Sequence, residues 1–214
     1  MAKEPQATRV ILVRHAPTAE NARHILIGRT DPPLSTHGRK LARRVAKALA
    51  GAPIVAICSS PRLRAQQTAS AIARRLAVHE VLTDERFAEI DLGVVDGMPV
   101  WEAYERYQPW FEASFIEDER DFAFPGGETW SHAADRFLRG LTEAAMNYAT
   151  QTICVVTHGA VLGLFHACLC RLPFARFRSY QPHHASISEL VLRATDGTWE
   201  IVRWNDTHHL SDPS

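Results

Sequence analysis

The sequence predicts an α/β fold in which a mostly parallel sheet carries an antiparallel part. Three observations predict it. Apolar, β-branched runs at Thr8–Val13, Ile54–Cys58 and Ile153–Val156 show no alternation, as strands buried on both faces do. Segments with a helical stripe follow each of them. Near the end, Ser186–Arg193 and Trp199–Trp204 flank Asp196-Gly197, which resembles a hairpin. The order is β-α-β-α, an irregular middle, then α-β-α and two paired strands. It fits one α/β domain over residues 1–214.

Each element has a local reason. Ser35 can cap a helix that runs to Ala50, with Leu41, Val45, Ala48 and Leu49 on one face, and Gly51 and Pro53 end it. Ser59-Ser60-Pro61 reads as a cap followed by proline in the first turn. That helix reaches about Ala77, with Ala69, Ile72, Ala73 and Leu76 inward. Trp130, Ala134, Phe137, Leu141, Ala145 and Tyr148 form the stripe of a long helix, and Gly159–Cys170 is an apolar one. The middle, about 97–125, carries Trp101, Tyr104, Tyr107, Trp110, Phe111, Phe115, Phe122 and Phe124. It reads as a small helical, aromatic cap insertion, which either covers an active site or simply packs on the core.

Composition narrows the classes. The 214 residues allow a substantial core, and 24 Lys+Arg balance 24 Asp+Glu. With 46% hydrophobic and 22% charged residues, the chain is neither disordered nor a nucleic-acid-coating protein. No apolar run approaches the ~18 residues of a membrane span, and Val10–Val13 is too short for a secretory signal. Cysteines 58, 154, 168 and 170 have no disulfide-framework spacing, so a cytoplasmic location is expected, with neither nucleic acid nor membrane as partner and a homodimer left open. Eleven histidines invite a metal reading, but there is no His-Glu-x-x-His and no Cys-x-x-Cys. His24, His37, His79 and His132 read as surface residues, and the adjacent pairs His183-His184 and His208-His209 point apart. No metal or other cofactor is expected.

The chemistry collects after the strands, where open α/β sheets bind ligands. Arg14-His15 follows the first, Ser60-Pro61-Arg62-Leu63-Arg64 the second and Thr157-His158-Gly159 the third. Such converging donors want an anion, and phosphate is the natural candidate. An imidazole can also attack phosphorus and carry the phosphoryl group. Arginine forks and a second imidazole can hold the equatorial oxygens. The leaving oxygen needs a proton, and the segment Arg86–Gly93 supplies carboxylates.

These stretches resemble the histidine phosphatase superfamily, phosphoglycerate mutase-like branch. Arg14-His15-Ala16 through Asn21 is similar to its Arg-His-Gly signature, continuing through Gly28–Leu34 to Gly38. Ser60–Ala69 resembles its second arginine motif, Phe87–Gly93 with Asp96-Gly97 its acid loop, and Val155–Gly159 its second histidine motif. Pro125–Thr129 and the stretches around Ala185–Leu190 and Trp204–Leu210 also match, so the blocks run in order over nearly the whole chain. The resemblance implies a three-layer α/β/α sandwich. It implies a metal-independent phosphomonoester hydrolase acting on a small phosphorylated metabolite through phosphohistidine. His15 would be the nucleophile, Arg14, Arg64 and His158 the phosphate pocket, and Glu89 the acid and then the base. Asn21, with Thr18, Gly28 and Gly159 from the matching stretches, would add to the phosphate site. Arg62 is expected at the surface or at the substrate's edge, and Glu20, Asp91 and Glu128 in caps, turns or ion pairs. Ala16 stands where the family usually has glycine, Glu20 where it often has tryptophan, and His184 where an asparagine is common. The latter two are expected to alter the substrate's surroundings more than the phosphoryl pocket. Phosphoglycerate mutase-type transfer and a non-catalytic phospho-ligand module are the alternatives. Mutases of the family carry extra basic residues in the insertion, which here has only Arg106 and Arg120 among aromatics and acids, so hydrolysis and a less charged substrate body are favoured.

Overall fold

The computed structural model describes residues 7–116 and 121–211. In chain order the elements are strand β1 (Ala7–Arg14), helices α1 (Ala19–Ala22) and α2 (Thr36–Ala48), β2 (Ile54–Ser59), α3 (Leu63–Leu76) and β3 (Val81–Thr83). Then come α4 (Val100–Arg106), α5 (Gln108–Ala113), α6 (Trp130–Asn147), β4 (Thr152–Thr157), α7 (Gly159–Leu169), a 3-10 turn (Phe174–Tyr180), β5 (Ile187–Arg193) and β6 (Trp199–Asp206). The six-stranded sheet has the order β3-β2-β4-β1-β5-β6. β1, β2, β3 and β4 run parallel, and β5 and β6 are antiparallel additions at one side.

Alternation along the central strands sorts the core into two layers. Ile11, Val13, Cys154 and Val156 face α2 and α3 through Val45, Leu49, Ala69 and Ile72. Val10, Leu12, Ile153 and Val155 face α6 and α7 through Phe137, Leu141 and Phe165. Helices on both faces make the expected α/β/α sandwich. The aromatic middle segment supplies a third cluster. Phe111, Phe122 and Phe124 are buried against Trp130, Phe174 and Phe177, while Trp101, Tyr104, Trp110 and Phe115 stay exposed.

The structure departs from the sequence reading at two places. β3 is an unforeseen strand, because its three residues are too short to carry a pattern. The start of α3 also differs. Arg62, not a serine, is its N-cap, and it makes no side-chain cap bond. Ser60 turns instead toward β4. Among the described residues, no single helix is long and apolar enough to cross a membrane.

Candidate active site

The parallel neighbours β1 and β4 end on one rung, and β2 ends one rung earlier. Arg14 lies opposite Thr157, and Val156 opposite Ser59. The next residues are His15, His158 and Ser60. The ladder continues one step past the strands, as His15 N–H donates to Thr157 O at 2.8 Å and Ser60 N–H to Val156 O at 3.0 Å. The His15 and His158 ring centroids are 5.0 Å apart, close to the ~4.8 Å between adjacent strands.

His15 is buried, and its Nδ1 lies 2.8 Å from Ala16 O. A carbonyl only accepts, so Nδ1 carries the proton and Nε2 keeps its lone pair. Burial first, then the neighbouring His158, His184, Arg64 and Arg14, holds the His15 pKa well below the ordinary histidine value. Burial and then Arg64 and Arg14 do the same to His158. His158 Nε2 meets Ser60 Oγ at 2.6 Å, and that oxygen also accepts Arg62 N–H at 3.2 Å. With Ser60 donating, the ring proton sits on His158 Nδ1, which is buried and without a partner.

Each arginine is fixed through its terminal nitrogens. Arg14 Nη1 donates to Pro182 O at 2.6 Å, and its Nη2 lies 3.0 Å from His184 Nε2. Gly159 opens α7 directly against this guanidinium, where an added Cβ would stand 2.5 Å from Arg14 Cζ. Arg64, 1% exposed, donates to Thr30 O at 2.9 Å and Gly28 O at 3.1 Å, with Asp31 3.7 Å away. The Nε atoms of both arginines are buried and unpartnered. Burial brings the Arg14 pKa down to about 10, against the opposing pull of Glu89, and lowers Arg64 as well.

Glu89 belongs to the loop before α4, and its carboxylate sits on the N-terminus of α7. Oε1 accepts Ile90 N–H at 3.0 Å and Val161 N–H at 2.9 Å, and Oε2 accepts Ala160 N–H at 3.1 Å. Arg14, His15, Asn21 and Glu89 line one cavity of about 370 Å³, whose walls include Phe111, Phe124, Trp130 and Phe177. Asn21 Oδ1 accepts Thr18 N–H at 2.9 Å, and Thr18 Oγ1 accepts Asn21 N–H at 3.2 Å. Thr18 is thus the N-cap of α1. Gly28 spends its N–H on Asp96 at 2.6 Å and its carbonyl on Arg64. It lies against the acid loop, where a Cβ would stand 2.6 Å from Ile90 O. Thr18 and Gly28 therefore hold the site's frame, and Gly159 gives Arg14 room.

Arg62 borders a neighbouring cleft with Arg29, Glu89 and Glu128. Glu128 is engaged by Arg136 at 2.7 Å and His132 at 2.6 Å. Of the insertion's two arginines, Arg106 pairs with Glu102 at 2.8 Å, and Arg120 lies outside the described residues. His24, His37, His79 and His132 are exposed. Among the described residues no three His, Cys, Asp or Glu side chains are grouped to hold a metal ion.

Three residues of the site escaped the sequence reading. Ser60 looked like a helix cap. His184, expected to act on the substrate's surroundings, contacts Arg14 and has its ring 5.1 Å from that of His15. Arg178 lines the cavity from the 3-10 turn, far in sequence from any strand end. Only the resemblance marked position 184, and nothing in the local sequence marked Arg178.

Known proteins resemble this chain over nearly its whole length. Phosphoserine phosphatase 1 of Hydrogenobacter thermophilus is 32% identical over 204 residues, covering 95% of each chain. A metal-independent phosphoserine phosphatase of Arabidopsis thaliana is 30% identical over 210 residues, covering 97% of this chain and 85% of that protein. A mycobacterial glucosyl-3-phosphoglycerate phosphatase, solved with VO3, superposes with a TM-score of 0.82 at 25% identity, over 93% of this chain and 99% of its own. Residues 10–207 match the histidine phosphatase superfamily (branch 1), and the chain belongs to that family.

Proposed function

We propose that the protein hydrolyses phosphomonoesters of small metabolites through a phosphohistidine on His15. One observation carries the reading. Arg14 Nε, Arg64 Nε and His158 Nδ1 are buried and without partners, and His15, whose Nε2 keeps its lone pair, has its ring centroid 5.0 Å from that of His158. Unmade buried hydrogen bonds are costly and rare. The oxygens of a phosphoryl group would satisfy these three and neutralise the cationic surroundings.

In the first step His15 Nε2 bonds to phosphorus while the ester P–O bond breaks, and Glu89 gives its proton to the departing oxygen. In the second, water attacks phosphorus, Glu89 takes its proton, and the N–P bond breaks. Glu89 suits both halves because its carboxylate lines the cavity beside His15 and is aimed by the α7 amides. Arg14, Arg64 and His158 hold the equatorial oxygens throughout. The relatives named as phosphatases, one of them metal-independent, support hydrolysis by such a metal-free set.

The test is a phosphate-release screen over metabolite monophosphates in EDTA, run beside His15→Ala. Turnover by the parent, none by the variant, and acid-labile phosphate trapped on His15 after a short quench are expected. Activity that vanishes in chelator and returns with one divalent ion, or that survives His15→Ala, would reject the mechanism.

A further inference from the structure

Arg178 lines the same cavity as His15 and Glu89, and among the described residues no carboxylate pairs with it. Its Nη2 donates to Ser114 Oγ at 3.1 Å and its Nη1 to Ser114 O at 3.4 Å. Its Cζ lies 4.7 Å from the Phe177 ring centroid, 4.9 Å from that of Phe115 and 5.7 Å from that of Trp130. Ring faces and a hydroxyl offer partial charge, not a counter-ion. Burial, unopposed, brings its pKa down to about 10.

The acids bordering the cavity are already engaged. Glu89 accepts from the α7 amides, Glu128 from Arg136, and Asp91 from Gly93 N–H at 3.0 Å. Gln181, one turn beyond Arg178, also lines the cavity and makes no side-chain hydrogen bond among the described residues. The cavity therefore carries two sets of donors from different parts of the chain, Arg14 with His15 at the sheet edge and Arg178 with Gln181 from the 3-10 turn, and Phe177 and Trp130 line it beside Arg178.

We infer that Arg178 receives a carboxylate carried on the organic body of the phosphomonoester. The substrate class is then a phosphorylated hydroxy acid or amino acid, in preference to an ester with an uncharged body. The inference rests on the phosphatase reading of His15 and adds which ester is chosen. A planar fork suits a carboxylate bidentately, and its stacking on Phe177 and Phe115 fixes the fork before substrate arrives. The competing role is a structural pin that ties Ser114, just past α5, to the 3-10 turn.

Phosphate release from 3-phosphoglycerate and from glycerol 3-phosphate separates the two roles, because these esters differ in the carboxylate. The parent is expected to favour 3-phosphoglycerate in kcat/KM. Arg178→Met should lower that preference about ten- to a hundredfold, mainly through KM, as for loss of a charged hydrogen bond. Arg178→Lys, which keeps charge but loses the fork, should fall between. If the Met variant does not fold by circular dichroism, the parent's ratio and the Lys variant decide. A parent without the preference, or variants that lose both esters in equal proportion, would overturn the inference. Failure of the phosphatase reading looks different: no release from any ester, p-nitrophenyl phosphate included.

Discussion

Ser60 Oγ and His158 Nε2 meet at 2.6 Å and join the ends of β2 and β4 inside the proposed phosphate pocket. A hydroxyl that donates to Nε2 leaves the His158 proton on Nδ1, where it can serve a phosphoryl oxygen. Ser60→Ala should lower kcat/KM about three- to tenfold, the cost of one neutral hydrogen bond, and weaken vanadate inhibition in parallel. Unchanged vanadate affinity would separate Ser60 from the pocket.

Gly159→Ala should keep the fold, since alanine favours a helix more than glycine does by about 1 kcal/mol. Its Cβ would press on Arg14 at 2.5 Å, so the guanidinium must move. A loss of kcat/KM of about tenfold or more, with an unchanged melting temperature, is expected. An active variant would mean that Arg14 tolerates displacement.

Glu89→Gln removes the proposed proton donor but leaves the side chain's size nearly unchanged. A positioned acid contributes about 10²–10⁴-fold. Alkyl phosphates, with poor leaving groups, should lose most of that, and aryl phosphates less in the first step. Equal and small losses for both would transfer the role to Asp91 or another acid.

Burial, then neighbouring cations, keeps His15 and His158 neutral well below pH 6.5, and His184 is held down to about 3. The unfolded chain protonates all three as pH falls through 6.5, whereas the folded chain does not. The unfolded state therefore binds more protons in that window, and stability declines with acidification. The slope is about 1.4 kcal/mol per pH unit for each such group. Urea midpoints should fall between pH 7 and 5.5, and His15→Gln should shallow the slope. A midpoint that rises on acidification would contradict the buried-neutral assignment.

Mutase-type transfer should be minor. Incubation with 3-phosphoglycerate and its diphosphorylated primer should yield inorganic phosphate faster than 2-phosphoglycerate. Retaining a diphosphorylated intermediate calls for several cations beyond the phosphoryl-binding end, whereas Arg178 alone lines the cavity there and Arg106 is paired with Glu102. Faster appearance of 2-phosphoglycerate than of phosphate from any ester would favour the mutase.

Much of the fold was legible because the central strands are buried on both faces and read as unbroken apolar runs. His15, His158 and Arg64 were legible because a parallel sheet presents whatever follows its strands at one edge. β3 was not, since three residues carry no period. Ser60 was misread because serine before proline caps helices more often than it serves a neighbouring strand. The aromatic insertion was ambiguous because burial and cavity lining use the same residue types, and Phe111 and Phe124 do both. Arg178 was silent because its meaning comes from a cavity assembled from α5, α6 and the 3-10 turn.

The strand ladder that continues into His15 and Ser60 ties the site's integrity to that of the sheet's centre. Their amide protons are bonded to Thr157 and Val156 carbonyls, so they should exchange with solvent only in the slowest class, through global opening. Heating should then abolish turnover and central-sheet protection in a single transition.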